Sequence, residues 1–165
     1  MFRKISNKKG FTLAETLVAM IIMLMVSSIV AAGIPAAKSA YEKIVLTSNA
    51  QLSLSTAVYA LRNELSSARE ITVSSTGKIS YTSGTYGSRS EISVGDEGIM
   101  YKRYADSEKE SERRLVSESA SDRLVVKYGG VEQKDGYITF TDICVYKSNG
   151  TDEVLKQDEL SIMTL

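Results

Sequence analysis

Histidine and tryptophan are missing from this 165-residue chain, and cysteine and proline occur once each, as Cys144 and Pro35. Without histidine no Ser-His or Cys-His nucleophile can be assembled, and zinc loses the ligand set it prefers. A single cysteine cannot close an intrachain disulfide. Alternating with Ile143 and Val145 in an apolar run, Cys144 reads as a small buried hydrophobe. A phosphate-cradling glycine loop is missing too: Ser83 to Ser90, with its glycines around Tyr86, has the composition of an ordinary surface loop. Neither catalysis nor a cofactor is expected from these residues.

An excess of either charge is also lacking, since 20 basic and 20 acidic residues cancel. The distribution is uneven, however. Arg3, Lys4, Lys8 and Lys9 precede Phe11 with no acid among them, and a whole-chain net of zero leaves −4 for the remainder. The positive-inside rule then keeps the N-terminus in the cytoplasm and exports the chain beyond residue 37. A mildly acidic exported part offers no broad basic face, so nucleic acid is not an expected partner. Lys102, Arg103, Arg113, Arg114 and Arg123 are the cations whose convergence the sequence leaves open.

The chain does have one long hydrophobic run. Thr16 to Ala37 holds no charged residue and is dominated by Leu, Val, Ile and Met, long enough to cross a bilayer as a helix. Glu15 stands at its start. A carboxylate there costs about 2.5 to 3.5 kcal/mol at the bilayer centre unless it stays at the interface or finds a partner, so it is a functional candidate. Two bland readings apply to single residues: Phe11 as an interfacial aromatic, and Glu15 as a headgroup-level acid near the lysines. An ordinary secretory signal is the rival for the whole segment, with cut sites among Ala31, Ala32, Ala36 and Ala37. Glu15 at the head of the apolar region argues against it. With no cysteine nearby, a lipoprotein anchor is excluded.

Lys8-Lys9-Gly10-Phe11-Thr12-Leu13-Ala14-Glu15 followed by this helix resembles the class III leader of type IV pilins and type II secretion pseudopilins. Gly10, Phe11, Thr12, Leu13 and Glu15 all match that pattern. The resemblance implies that a membrane-embedded prepilin peptidase cuts between Gly10 and Phe11 and methylates the new Phe11 amine. Glycine suits the cut because it presents no side chain to the protease groove. It further implies that Glu15 attracts the Phe11 amine of a neighbouring subunit, so that two groups costly to bury alone neutralise each other in a filament. Other pilin or pseudopilin subunits, an inner-membrane assembly platform and the lipid bilayer are the implied partners.

Beyond the apolar run, Leu54, Val58, Leu61, Leu65 and Ala68 recur at helical spacing opposite a polar side. One helix from near Phe11 to about Glu70 is expected, least clearly over the polar stretch Thr47 to Ser55. Gly33 and Pro35 predict a kink or local melting within it. Pilins commonly carry their helix-bending proline a few residues earlier.

From Ile71 onward the period changes. Ile71–Ser75, Lys78–Thr82, Glu91–Val94, Ile99–Tyr104, Arg123–Tyr128, Tyr137–Tyr146 and Leu160–Leu165 read as strands, separated by turn formers such as Asp135-Gly136. Asp106 to Asp122, mixed in charge and rich in serine, reads as a solvated loop or, alternatively, as a contact surface for a neighbouring subunit. The fold class is therefore α+β: a long N-terminal helix, membrane-spanning in its first half and amphipathic in its second, packed on an antiparallel sheet. The expected domains are a leader at 1–10, a transmembrane and assembly helix at 11–37, an amphipathic helix at 38–70 and an exported head at 71–165.

Calcium is the one ion to weigh, because Asp96, Glu97, Asp152, Glu153, Asp158 and Glu159 supply hard oxygen ligands and some pseudopilins hold calcium near their C-terminus. No EF-hand spacing supports it, and no metal is expected. The reading is a minor subunit of a type IV pilus, near the tip or at initiation. Leu61-Arg62-Asn63-Glu64-Leu65 followed by the Ile71 to Thr82 hairpin is similar to the larger tip-complex subunits. The alternatives are a minor pseudopilin of a type II secretion system and a membrane-anchored domain that never polymerises.

Overall fold

The computed structural model describes residues 11–104, 110–117, 124–148 and 151–164. The leader through Gly10 and most of the Asp106 to Asp122 stretch lie outside these residues. The described chain forms one helix and nine strands: α1 (Leu13–Ser66), β1 (Arg69–Val73), β2 (Ile79–Thr82), β3 (Arg89–Gly95), β4 (Gly98–Tyr104), β5 (Glu110–Arg114), β6 (Leu124–Lys127), β7 (Gly130–Lys134), β8 (Tyr137–Lys147) and β9 (Glu153–Met163). The chain divides into two compact units between Lys43 and Ile44.

In the first unit every described residue is exposed, including Phe11, Leu13, Met23, Leu24 and Ile29. This part of α1 is long and apolar enough to cross a membrane. Two of its hydroxyls bond back to the helix: Thr16 Oγ1 donates to the Leu13 carbonyl at 2.9 Å and Ser28 Oγ to the Met25 carbonyl at 2.8 Å. That is the condition for a helix in lipid, where no water is available to the side chains. The helix is unbroken through Gly33 and Pro35, so the expected local melting does not occur. Membrane helices tolerate a proline in this way when neighbouring groups re-satisfy the freed carbonyl.

The second unit is the head. Its part of α1 buries Ala50, Ser53, Ala57, Leu61 and Leu65, a stripe at helical spacing. Of the expected apolar face, Leu61, Leu65 and Ala68 are buried, while Leu54 and Val58 are only partly buried. Small residues occupy the centre because they let the helix backbone approach the sheets closely, which a run of leucines would prevent. The helix is also continuous over Thr47 to Ser55, and it ends at Ser66 rather than Glu70. Glu70 takes a positive φ of 53° inside β1, where the β1–β2 register shifts between Arg69 and Thr72. A helix cannot extend through that conformation.

Two antiparallel sheets replace the single one expected. The first has the order β1-β2-β3-β4-β5. In the second, β6 and β7 succeed one another along one edge of β8, with Lys127 opposite Cys144 and Gly130 opposite Thr141, while β9 occupies the other edge. Between them Gly129 N–H donates to the carbonyls of Thr141 and Asp142, and Asp142 has a φ of 53°. This is a bulge in an otherwise continuous pairing. Asp135 and Gly136, with φ of 51° and 79°, close the β7–β8 hairpin as the two central residues of a type I′ turn. Where β4 approaches β6, a Cβ on Gly98 would lie 2.9 Å from the Val126 carbonyl oxygen, and its φ of 105° excludes other side chains as well.

The core joins α1 to both sheets through Leu61, Leu65, Ile79, Tyr81, Ile92, Ile138, Phe140, Ile143 and Val145. Tyr128 packs edge-on to Phe140, with ring centroids 5.1 Å apart, and donates to the Gly77 carbonyl at 2.8 Å, tying the second sheet to the β1–β2 turn. Burial pushes its hydroxyl pKa up to about 12. Three strand assignments differ from the expectation. Glu110–Arg114 is the edge strand β5 and not part of a loop, β7 has no counterpart among the expected strands, and β9 begins at Glu153 and not near Leu160. All three are held by backbone pairing, and the charged and polar residues of β5, of β7 and of β9 before Leu160 interrupt any apolar period there.

Candidate functional site

Phe11, Thr12 and Glu15 meet at the N-terminus of α1. Thr12 immediately precedes the helix and acts as its N-cap, and Glu15 is three residues further on. Glu15 Oε2 accepts the Thr12 N–H at 2.8 Å and the Thr12 hydroxyl at 3.0 Å, while Glu15 N–H donates to Thr12 Oγ1 at 3.3 Å. This is a capping box, in which each residue satisfies a backbone donor that the helix end leaves without a partner. A carboxylate at this end also complements the helix dipole. Both bonds use Oε2. Sequence reasoning singles out Glu15 and misses its partner, although Thr-x-x-Glu before an apolar run is a legible signature.

Phe11 is 85% exposed beside this cap. Cleavage after Gly10, itself outside the described residues, would place a new amine one residue before Thr12 and four before Glu15. Amine, cap and acid would then share the first turn of an apolar helix.

The other candidates disperse. Arg103 lies over the Tyr86 ring at 4.5 Å, Lys102 over Tyr104 at 5.2 Å, Arg113 over Tyr101 at 5.4 Å, and Arg114 pairs with Glu97 at 2.9 Å. Successive residues of β4 point to opposite faces, so these cations do not form one patch; Arg123 is outside the described residues. Among the acids weighed for calcium, Glu97 pairs with Arg114, Asp152 with Lys147 at 3.6 Å and Asp158 with Lys156 at 3.7 Å. No group of three potential metal ligands gathers among the described residues. Cys144 is buried in β8, and burial raises its thiol pKa.

One buried carboxylate stands out in the head. Glu91, 6% exposed, receives Lys78 Nζ at 2.5 Å, the Tyr104 hydroxyl at 2.7 Å and the Ser80 hydroxyl at 3.4 Å, with Arg89 at 3.6 Å. Burial by itself raises the Glu91 pKa, but the bonds from Lys78 and Tyr104 and the charges of Lys78 and Arg89 outweigh it, and the net shift is downward. With every oxygen engaged, this cluster pins β2, β3 and β4 together and leaves no place for a substrate.

The family model of the prokaryotic N-terminal methylation motif matches residues 5–31. The match takes in the Gly10–Phe11 junction, the Thr12–Glu15 cap and most of the apolar run. No curated protein and no solved structure matches the chain. The chain thus carries a type IV pilin-like prepilin leader, and a long apolar helix followed by antiparallel sheets gives it a pilin-like α+β fold. Leader and fold together indicate a structural subunit of pilin or pseudopilin type rather than an enzyme. The motif implies processing by a prepilin peptidase and assembly with other pilin subunits, and it fits a membrane-anchored protein.

Proposed function

We propose that this chain is a minor subunit of a type IV pilus, acting at the tip or at initiation. The leader, residues 1–10, is removed between Gly10 and Phe11, and the new Phe11 amine is methylated. Residues 11–37 hold the subunit in the cytoplasmic membrane with its N-terminus inside, the helix continues from residue 38 to Ser66, and the strands from Arg69 onward complete the exported head. On extraction into the filament, the Glu15 carboxylate pairs with the Phe11 amine of a neighbour, and Gly33 with Pro35 marks the kink of the helix.

The observation that carries this reading is the methylation motif placed on an apolar helical stretch, exposed at every residue up to Lys43, whose first turn presents Glu15. An exposed helix of this composition needs either lipid or other helices as its surroundings. Glu15→Val tests it. The variant is expected to insert in the membrane and be cleaved normally, yet to be missing from sheared filaments. Filament content equal to wild type would remove the charge-pairing mechanism.

A further inference from the structure

Strands β1, β2 and β3 enclose a small polar cavity on the outer face of the first sheet. Side chains alternate along a strand, so Ser80, Thr82 and Arg89 share the face opposite the buried Ile79, Tyr81 and Ile92. Together with Glu70 and Thr72 of β1 they line a space of about 220 Å³. Sites for drug-sized molecules begin at roughly 300 Å³, so this one has room for a single small ligand.

The lining is set by a break in the sheet. Where the β1–β2 register shifts between Arg69 and Thr72, Glu70 takes its φ of 53°. A bulge re-aims a side chain, and this one brings the Glu70 carboxylate to Thr82, whose hydroxyl donates to Oε2 at 3.3 Å. Glycine would adopt that backbone without strain, and a glutamate stores some. Thr82 is also the partner of Arg89 across β2 and β3. A carboxylate from β1 and a guanidinium from β3 thus flank the hydroxyls of β2.

These groups are placed by the strands but loosely held. Arg89 pairs with Glu91 and not with Glu70, and only at 3.6 Å through one terminal nitrogen, while the Thr72 and Ser80 hydroxyls donate over 3.4 Å each. Lys78 and Tyr104, by contrast, meet Glu91 at 2.5 and 2.7 Å. Shorter bonds to a ligand are therefore open to the lining groups.

The charges select the ligand. A simple anion is repelled by Glu70, and a cation by Arg89, with one carboxylate too few for a divalent metal. An apolar group would strip water from five polar side chains and return nothing. An uncharged sugar would leave both charges without a counter-charge. An ammonium and a carboxylate on one carbon answer both sides, and a guanidinium fork suits a carboxylate in particular.

We propose that this cavity binds a small free α-amino acid, its ammonium on Glu70 and its carboxylate on Arg89, with the hydroxyls of Thr72, Ser80 and Thr82 completing its hydrogen bonds. The volume admits only a short side chain. The site belongs to the head and does not depend on the assembly reading above.

The test is equilibrium dialysis of the detergent-extracted full-length protein against radiolabelled glycine, alanine and serine, with thermal unfolding of each protein followed in parallel. Wild type is expected to bind one amino acid per chain saturably, with a Kd of about 1 mM or below. Glu70→Gln and Arg89→Gln each remove one charge and should weaken binding about ten-fold or more. Glu70→Gly should abolish binding while its unfolding temperature stays at or above that of wild type, a combination that a merely structural glutamate would not give. Ethylamine and acetate, which each carry half of the zwitterion, should bind wild type at least about ten-fold more weakly than glycine. No saturable binding of any of the three amino acids to folded wild type would overturn the proposal. Glucose bound as tightly as serine, or unchanged affinity in both charge variants, would overturn it as well.

Discussion

Thr12 and Glu15 hold each other across the first turn of α1, the threonine hydroxyl accepting from the Glu15 amide and donating to the same residue's carboxylate. Glu15 is therefore engaged within its own chain. Only Oε2 is used in this cap, so in the proposed pairing Oε1 is the oxygen that would receive a neighbour's amine. The acid thought of as an intersubunit group is also the one that starts the helix.

Thr12→Val keeps the shape of the side chain and removes the hydroxyl. Loss of an N-cap costs roughly 1 kcal/mol, so amide exchange at Glu15 and Thr16 in the detergent-extracted protein should speed up by about five-fold. Thr12→Ser should restore the wild-type rate. Identical exchange in all three proteins would mean that the cap does not hold in the membrane-mimetic state.

Leu61 and Tyr59 lie two residues apart on opposite sides of the same helix, and they should respond in opposite ways. Leu61 is fully buried, so Leu61→Ala is expected to cost about 2 to 5 kcal/mol and to lower the unfolding temperature clearly. Tyr59→Ala, at a residue 73% exposed, should stay within roughly 0.5 kcal/mol. Comparable losses at the two sites would contradict the packing of α1 on the sheets.

The Glu91 cluster gives the head an acid limb. Because the folded-state pKa lies below the unfolded one, the cluster's contribution is fully present above the unfolded value of about 4.3 and is lost as pH falls through the folded value. Glu91→Gln should lower the unfolding temperature at pH 7 and flatten its dependence on pH below about 5. A variant as steep as wild type in that range would assign the acid sensitivity to other carboxylates.

Much of this fold is legible in the sequence, and the part that is not has physical causes. The apolar run, Glu15 and the Asp135-Gly136 turn announce themselves because each is fixed locally, by hydropathy, a single charge and two positive φ values. Strands β5 and β7 are hidden because Glu110–Arg114 and Gly130–Lys134 owe their form to a neighbour's backbone and not to their own side chains. The buried helix face at Ala50, Ser53 and Ala57 escapes a hydropathy pattern, since hydrophobicity marks large residues and close packing here selects small ones. Thr12 can be found from its spacing to Glu15 alone.

Prepilin processing is tested most directly at the N-terminus of the membrane-extracted protein, read by intact mass and terminal peptide sequencing. A chain that starts at N-methylated Phe11 is expected. A start near Gly33 or Ala36, or an intact Met1 in cells with a working prepilin peptidase, would contradict it.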